Sequence, residues 1–375
     1  MGSSLSHPVY SRDATVYVIS GTEKFETFHR AVEQSGFINH VLDRWRATGK
    51  PQAEFRIAIK PNIMTASKHE ENSPVYTDPA LVEDLIRLLR AEGFSRFTVV
   101  ETQNVYNYSY TGRTVQAVAE MCGYSGDGYD IVDLNDDTVP LDYGGMLGVH
   151  PAGRAWLEAD YRISFAKNKT HWQCFYTASL KCVYGCLPMW DKMKVYHGRG
   201  RGGRNIEFFH ATALINEKMP AHFGFMDAWI SGDGLTGHVR DPYPNETHTI
   251  FASENCFALD WVAGEKMQID PGQNYVLQEA MHRWGTIHIT RVGNMTPWYP
   301  WDNVRPIVVI GFNVIEEFYW FGRFMSRAAA TESDPRFPQV GRYQGFFKVM
   351  QAIVRLLEGL LTRATDPKKT RRLPV

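Results

Sequence analysis

The feature of this chain that most restricts its fold is the alternation of short β-branched runs with longer helical patterns in its first half. The apolar run at residues 15–20 is followed by an amphipathic helical pattern at 26–46. The succession continues with runs at 55–59, 97–100 and 129–134 and helical patterns at 80–92 and 113–122. Strands separated by helices are typical of βαβ units. The sequence therefore predicts an α/β fold, a mostly parallel, doubly wound sheet with helices on both faces.

Capping and turn residues support several of these boundaries. Asp78 is a suitable N-cap, Pro79 occupies the first helical position and Gly93 follows the last helical turn. The second half of the chain is less regular, and Ser253 is predicted to cap a helix at residues 254–267. The other elements predicted there are a helix at 205–218 and strands at 223–230, 249–252 and 306–310.

Length and composition indicate how the elements are grouped. With 375 residues, 44% of them hydrophobic, the chain is expected to form one large α/β domain over residues 1–335, or two lobes at 1–150 and 151–335. Residues 336–375 differ, because an amphipathic helical pattern at 343–363 is followed by a basic tail. This helix is predicted to dock on its own domain or on a second subunit. The alternative is a helix lying on a membrane surface.

Charge and cysteine content bear on partners and location. The 40 basic and 41 acidic residues give a net charge of −1, so no overall field attracts nucleic acid. The five cysteines lack the spacing of disulfide-stapled secreted proteins, and the first residues do not resemble a signal peptide. No apolar run reaches the roughly 18 residues of a spanning helix. These observations predict a cytoplasmic protein in which any recognition by charge is local.

Charged and polar residues stand where three predicted strands end. These residues are Lys60 and Asn62 after the run at 55–59, Glu101 after the run at 97–100, and Lys167, Lys169, Thr170 and His171 after a run at 161–165. The carboxyl ends of parallel strands meet at one edge of a sheet, where the connecting loops form a crevice. We therefore expect these side chains to line a single site.

The residue types at these strand ends suggest a ligand and a chemistry. The expected cationic floor consists of Lys60, Lys167, Lys169 and Lys181. Such a floor suits a small ligand that carries a carboxylate or a phosphate. His171 can transfer protons near neutrality and is predicted to be the general acid and base, with Lys169 and Lys181 as further catalytic residues. Glu101 would orient a lysine or the ligand, and isomerase-like or lyase-like chemistry is the expected class.

A glycine-arginine segment at residues 198–204 precedes the predicted helix at 205–218. Backbone N–H groups and a helix N-terminus arranged in this way are able to hold a phosphate. Arg199 and Arg201 are therefore predicted to bind the anionic ligand. A mobile lid is an equally valid interpretation of the same segment.

Two other classes of function stay open. Asp227 and Asp233 lie near several histidines and are candidate ligands of a divalent metal, although no cofactor is required by the sequence. Cys174, Cys182 and Cys186 are candidates for iron–sulfur or redox chemistry. The third class is a non-catalytic binding or scaffold protein that uses the helix at 343–363.

Several short motifs together resemble one protein family. The motifs are Lys60-Pro61-Asn62, Lys167-x-Lys169-Thr170-His171, Thr177-x-x-x-Lys181, Gly185, His197 and Gly232-Asp233-Gly234. Their combination is similar to the domain of unknown function 362 family from about Lys60 to Asp270. The resemblance implies an α/β fold and adds Thr177 and His197 to the expected ligand-binding residues. Some members carry ferredoxin-type modules, but the chain has no such cysteine run, and Cys182 stands where the family usually has asparagine.

Overall fold

The fold is described by a computed structural model that covers residues 7–104, 110–188, 206–234 and 243–299. It also covers positions 301, 304, 306–307, 309–311, 334–338, 349 and 352. Within these ranges the chain forms a nine-stranded sheet, a two-stranded sheet and a set of α-helices. The mixed α/β class predicted from the sequence is confirmed.

The strands are β1 (Ala14–Ser20), β2 (Arg56–Pro61), β3 (Arg96–Glu101), β4 (Asp130–Asp133), β5 (Thr138–Asp142), β6 (Val149–Gly153), β7 (Tyr161–His171), β8 (Phe175–Thr177), β9 (Phe223–Asp233), β10 (Tyr243–Ser253) and β11 (Ile289–Gly293). The helices are α1 (Lys24–Gln34), α2 (Phe37–Thr48), α3 (Pro79–Ala91), α4 (Val115–Cys122), α5 (Arg154–Leu157), α6 (Ser179–Tyr184), α7 (Ile206–Lys218), α8 (Cys256–Lys266) and α9 (Tyr275–Trp284). Short 3₁₀ turns lie at Gln52–Glu54 and Pro271–Gln273.

The large sheet has the strand order β11-β1-β10-β9-β7-β2-β3-β4, with β8 folded back on β7. The strands β9, β7, β2, β3 and β4 run parallel to one another, which confirms the mostly parallel sheet. The strand β10 is antiparallel to both β1 and β9. Consequently β1 lies away from β2, although the two strands follow one another in the sequence.

Two apolar cores cover the two faces of the sheet, as the doubly wound pattern predicts. The helices α1 to α4 pack on one face, where they meet Ile57, Ile59 and Phe165. The helices α6 to α9 pack on the other face against Ala58 and Met226. Because side chains alternate along a strand, neighbouring residues of β2 contribute to different cores.

Two local predictions about helix ends are wrong. The pattern at residues 26–46 is two helices, because Gly36 has a φ of +65°, a left-handed conformation that ends α1 before α2 begins. The cap of α8 is Asn255, whose Oδ1 accepts the backbone N–H groups of Phe257 and Ala258. The Ser253 hydroxyl instead accepts the N–H of Asn255 and donates to the carbonyl of Thr15.

The predicted cap of α3 is confirmed, because the Asp78 carboxylate accepts the N–H of Ala80 beside Pro79. The late strand predicted at 306–310 is wrong, since the described positions there are helical. A short apolar run fits a strand or a buried helix equally well, and Pro306 suits a first helical turn. The predicted helix at 343–363 falls outside the described residues except for Val349 and Ala352. No helix in the described ranges is long and apolar enough to cross a membrane.

The assignment of Asn255 as the N-cap of α8 predicts a loss of stability when this side chain is removed. Asn255→Ala should lower the free energy of unfolding by about 2–4 kcal/mol. The substitution removes the cap and leaves the buried backbone N–H groups of Phe257 and Ala258 without an acceptor. Thr114→Ala, at the exposed cap of α4, should cost only about 1 kcal/mol. Urea denaturation of both variants measures the difference, and equal losses would contradict the assignment.

Candidate functional site

The strand β7 is the element that places most of the predicted site residues. The last residue pair between β2 and β7 is Pro61 with Phe165, and β7 then continues to His171. The predicted strand at 161–165 is therefore too short, because Lys167, Lys169 and His171 belong to the strand itself. Their spacing of two puts these three side chains on one face of β7. The extension projects about 20 Å beyond the end of β2.

The side chain of Lys167 forms a buried ion pair with Asp227 on the neighbouring strand β9. Lys167 Nζ lies 2.9 Å from Asp227 Oδ2, and both side chains are almost wholly buried. The same carboxylate accepts the backbone N–H groups of Asp78 and Trp229 at 2.9 and 3.1 Å. This network connects β7, β9 and the start of α3.

The side chain of Lys60 forms a second buried ion pair at the end of β2. Lys60 Nζ lies 2.8 Å from Glu101 Oε2 at the end of β3. Burial disfavours the charged ammonium, but the electrostatic interactions with Cys182 and Glu101 outweigh it and raise the pKa of Lys60. Gly185 is required here, since a Cβ at this position would lie 2.7 Å from Lys60 Nζ.

The third buried lysine, Lys169, contacts only neutral oxygens within the described part of the chain. Its Nζ donates to Thr65 Oγ1 at 3.0 Å and to the carbonyl of Val75 at 2.7 Å. Burial, together with the positive charges of Lys181 and Lys167, lowers the pKa of Lys169 to about 7. Lys169 therefore differs from the two paired lysines in its surroundings.

A buried hydroxyl without a partner faces Lys169. Thr177 on β8 pairs directly with Lys169 across the antiparallel β7–β8 pair, so the two side chains lie on the same face. Thr177 Oγ1 makes no hydrogen bond to a described residue. Oδ1 of the buried Asn168, on the opposite face of β7, also makes none. Unpaired buried polar atoms are costly and rare in folded proteins. A ligand oxygen beside Thr177 would remove this cost.

The other predicted residues have definite places. His171 Nδ1 accepts the backbone N–H of Gln173 at 3.1 Å, which leaves the proton of a neutral ring on Nε2. Thr170 Oγ1 donates to the carbonyl of Gly234, and Asn62 Oδ1 accepts the N–H of Lys167. Lys181 Nζ lies 5.6 Å from the centre of the Phe208 ring. His197, Arg199 and Arg201 lie outside the described residues.

The two aspartates proposed as metal ligands have other partners. Asp227 pairs with Lys167, while Asp233 accepts the N–H of Gly234 at 2.8 Å and the Asn245 amide at 3.2 Å. Over the described ranges, no group of three or more histidine, cysteine, aspartate or glutamate side chains is placed to hold a metal ion. Asp227 is therefore better described as the counter-ion of Lys167.

The cysteines predicted for redox chemistry are buried free thiols. Burial raises the pKa of Cys174 to about 12 and also raises the pKa of Cys182. The thiolate is the reactive and metal-binding form of cysteine. These surroundings therefore favour a structural role for both side chains.

One residue that the predicted site omits is Asp260 on α8. Helix α6 begins after Ala178, whose methyl group is unable to cap it, and Asp260 accepts the N–H groups of Ser179 and Leu180 at 2.7 and 2.9 Å. Burial raises the pKa of Asp260 to about 7. Asp260 thus positions the helix that carries Lys181. No local pattern predicts this contact, because Asp260 lies 81 residues beyond Ser179. The contacts of Lys169 with Thr65 and Val75 come from a distant loop and were likewise not predicted.

A separate cleft of about 350 Å³ lies at the opposite edge of the sheet, where β7 begins. In its wall, His40 Nε2 lies 2.6 Å from Glu254 Oε2 and His40 Nδ1 lies 3.2 Å from the Tyr161 hydroxyl. Burial and the charge of Arg162 lower the pKa of the adjacent His222 to about 2, so this ring is neutral. The lysines described above do not line this cleft.

Comparison with known proteins places the chain in a family. The family model described as "Domain of unknown function (DUF362)" matches residues 57–265, more than half of the chain. The chain belongs to this family. The matched part of this DUF362 protein runs from β2 into α8 and contains the four lysines, His171 and both carboxylates of the ion pairs. The resemblance inferred from the motifs is confirmed.

Two individual proteins are similar to this DUF362 chain. The thylakoid-associated protein sll1697 of Synechocystis is 24% identical over 220 residues, which cover 58% of this chain and 64% of that protein's length. The lactate racemase apoprotein of Thermoanaerobacterium thermosaccharolyticum has 13% sequence identity and a TM-score of 0.35. That match covers 64% of this chain and 56% of the racemase chain.

The ion pair of Lys167 with Asp227 predicts strong coupling between the two positions. Lys167→Met and Asp227→Asn should each lower the free energy of unfolding by about 3–5 kcal/mol, because each leaves a buried polar group without its partner. The double variant should lose about 2 kcal/mol less than the sum of the two losses. Urea denaturation of the three variants measures this coupling, and strictly additive losses would show that the pair is not formed.

The lowered pKa of Lys169 predicts a pH dependence of stability. Between its pKa of about 7 in the fold and 10.5 in the unfolded chain, the unfolded chain binds more protons, so stability rises with pH. From pH 7.5 to 9.5, the wild type should gain about 2 kcal/mol relative to Lys169→Met. Lys68→Met, at an exposed site, is the control and should follow the wild type. Parallel profiles of Lys169→Met and wild type would argue against a buried neutral amine.

Proposed function

We propose that this protein is an enzyme that binds a small metabolite carrying a carboxylate or phosphate at the carboxyl edge of its sheet. The observation that carries the proposal is the unequal pairing of the buried lysines. Lys60 and Lys167 each have a carboxylate, whereas Lys169 has only neutral acceptors in the described part of the chain. An anionic ligand would supply the missing negative charge and accept a hydrogen bond from Thr177.

Within this proposal, the residues divide into two groups. One ion pair joins the ends of β2 and β3, and the other joins the middle of β7 to the middle of β9. Lys60 and Lys167 would therefore act mainly as positioning residues. Lys169 and Thr177 would contact the ligand. The Thr177 hydroxyl makes no hydrogen bond within the described fold, so its O–H would be available to stabilise negative charge that develops on the ligand.

His171 is the proposed proton carrier. It lies two residues beyond Lys169 on the same strand and face, and its ring is fixed through Nδ1. An imidazole held next to a cationic site is suited to removing a proton from a carbon that adjoins the ligand's acid group. Isomerisation or elimination of a small acid is therefore the proposed reaction class.

The proposal is tested by thermal shift of the full chain with a panel of small carboxylates and phosphates. A binding compound at 100 times its Kd should raise the Tm by about 3 °C. Lys169→Met and Thr177→Val should lose the shift, while the control Lys68→Met should keep it. Binding compounds are then incubated with the protein in D₂O, where NMR should detect His171-dependent exchange of the proton next to the acid group. A silent panel, or shifts that both site variants retain, would reject the proposal.

A further inference from the structure

The hydrogen bonds of Lys169 match a neutral amine better than an ammonium ion. A neutral amine has two N–H groups and one lone pair, whereas an ammonium has three N–H groups and no lone pair. Lys169 Nζ has two acceptors in the described structure, Thr65 Oγ1 and the carbonyl of Val75. With both N–H groups used in this way, the lone pair is left for another atom.

The surroundings of this amine favour nucleophilic chemistry. Burial and two nearby ammonium groups, those of Lys181 and Lys167, disfavour a further positive charge on Lys169. Desolvation next to another cation is the physical means by which a lysine amine becomes nucleophilic near neutral pH. The unpaired Thr177 hydroxyl across the strand pair is a donor for an oxygen atom bound close to the same amine.

We propose that Lys169 forms an imine with its substrate, and that the substrate is a small acid with an aldehyde or ketone group near its carboxylate. The inference rests on the proposed function, because it concerns the same site, and it narrows the ligand from any small anion to an oxo acid. The substrate carboxylate would then be the counter-ion of the iminium formed at Lys169.

The step balances with the groups present. The lone pair of Lys169 Nζ attacks the carbonyl carbon, and a carbon–nitrogen bond forms while the carbonyl π pair moves onto oxygen. That oxygen leaves as water with one proton from the amine and one from protonated His171. The resulting iminium withdraws electrons from the adjacent carbon, so neutral His171 is able to remove a proton there and leave an enamine. Thr177 would hold the departing oxygen.

The test is reductive trapping with the full-length protein. The protein is incubated at pH 7.5 with 2-oxobutyrate or acetoacetate and sodium cyanoborohydride, and the modified lysine is located by peptide mass spectrometry. The matched acids 2-hydroxybutyrate and 3-hydroxybutyrate lack the carbonyl group and serve as controls. One equivalent of reduced adduct on Lys169 is expected with an oxo acid and none with the hydroxy acids.

Variants separate a specific reaction from general lysine labelling. Lys169→Arg should lose the adduct, Lys68→Arg should keep it, and Thr177→Val should label about tenfold more slowly because it lacks the hydroxyl donor. Mapping the adduct in the wild type does not depend on any variant folding. Adducts spread over exposed lysines, with Lys169 unmodified, would overturn the inference.

The thermal-shift panel distinguishes this inference from the proposed function. If oxo and hydroxy acids both raise the Tm through Lys169 but no adduct forms there, the site binds anions and the imine step is wrong. If no acid or phosphate raises the Tm and no adduct forms, both the site and the covalent step are wrong.

Discussion

The ion pair between Lys167 and Asp227 is the interaction on which the arrangement of the site depends. Removing two charges from water is costly, and the cost is recovered only when the remaining hydrogen-bonding groups are satisfied. Asp227 meets this condition, because backbone N–H groups of Asp78 and Trp229 fill its other acceptor positions. The network fixes the middle of β9 and the start of α3 against β7, and so holds β7 where it extends beyond β2.

The extension of β7 explains why one lysine differs from the others. Lys60 lies beside the end of β3 and Lys167 lies beside the middle of β9, and each neighbouring strand supplies a carboxylate. Lys169 lies further along β7, opposite the short strand β8. At that position the described chain offers hydroxyl and carbonyl oxygens but no carboxylate. Burial of the Lys169 amine and the nearby positive charges of Lys181 and Lys167 both favour its neutral form. A single buried lysine is thereby available to an anion or a carbonyl carbon, while Lys60 and Lys167 form ion pairs with carboxylates.

The parts of this structure that follow local rules were predictable from the sequence. Parallel strands bring Lys60, Glu101 and the end of β7 to one edge, and the caps at Asp78 and Gly93 mark α3 correctly. The length of β7 was not predictable, because lysine, asparagine and histidine are not typical of a buried strand and their burial depends on distant partners. Nor do local patterns reveal that β10 inserts between β1 and β9, or that Asp260 caps α6 from 81 residues beyond Ser179. Long-range pairing decides these features.

The central claim is that Lys169 is a buried amine with a pKa of about 7. NMR titration of ¹³Cε-labelled lysine measures this pKa directly. The Lys169 signal is identified by its absence in Lys169→Met. The account predicts a titration midpoint near pH 7, far below the 10.5 of an ordinary lysine, and an upward move of that midpoint when a binding carboxylate is added. A midpoint at or above 10.5, unchanged by every ligand that raises the Tm, would contradict it.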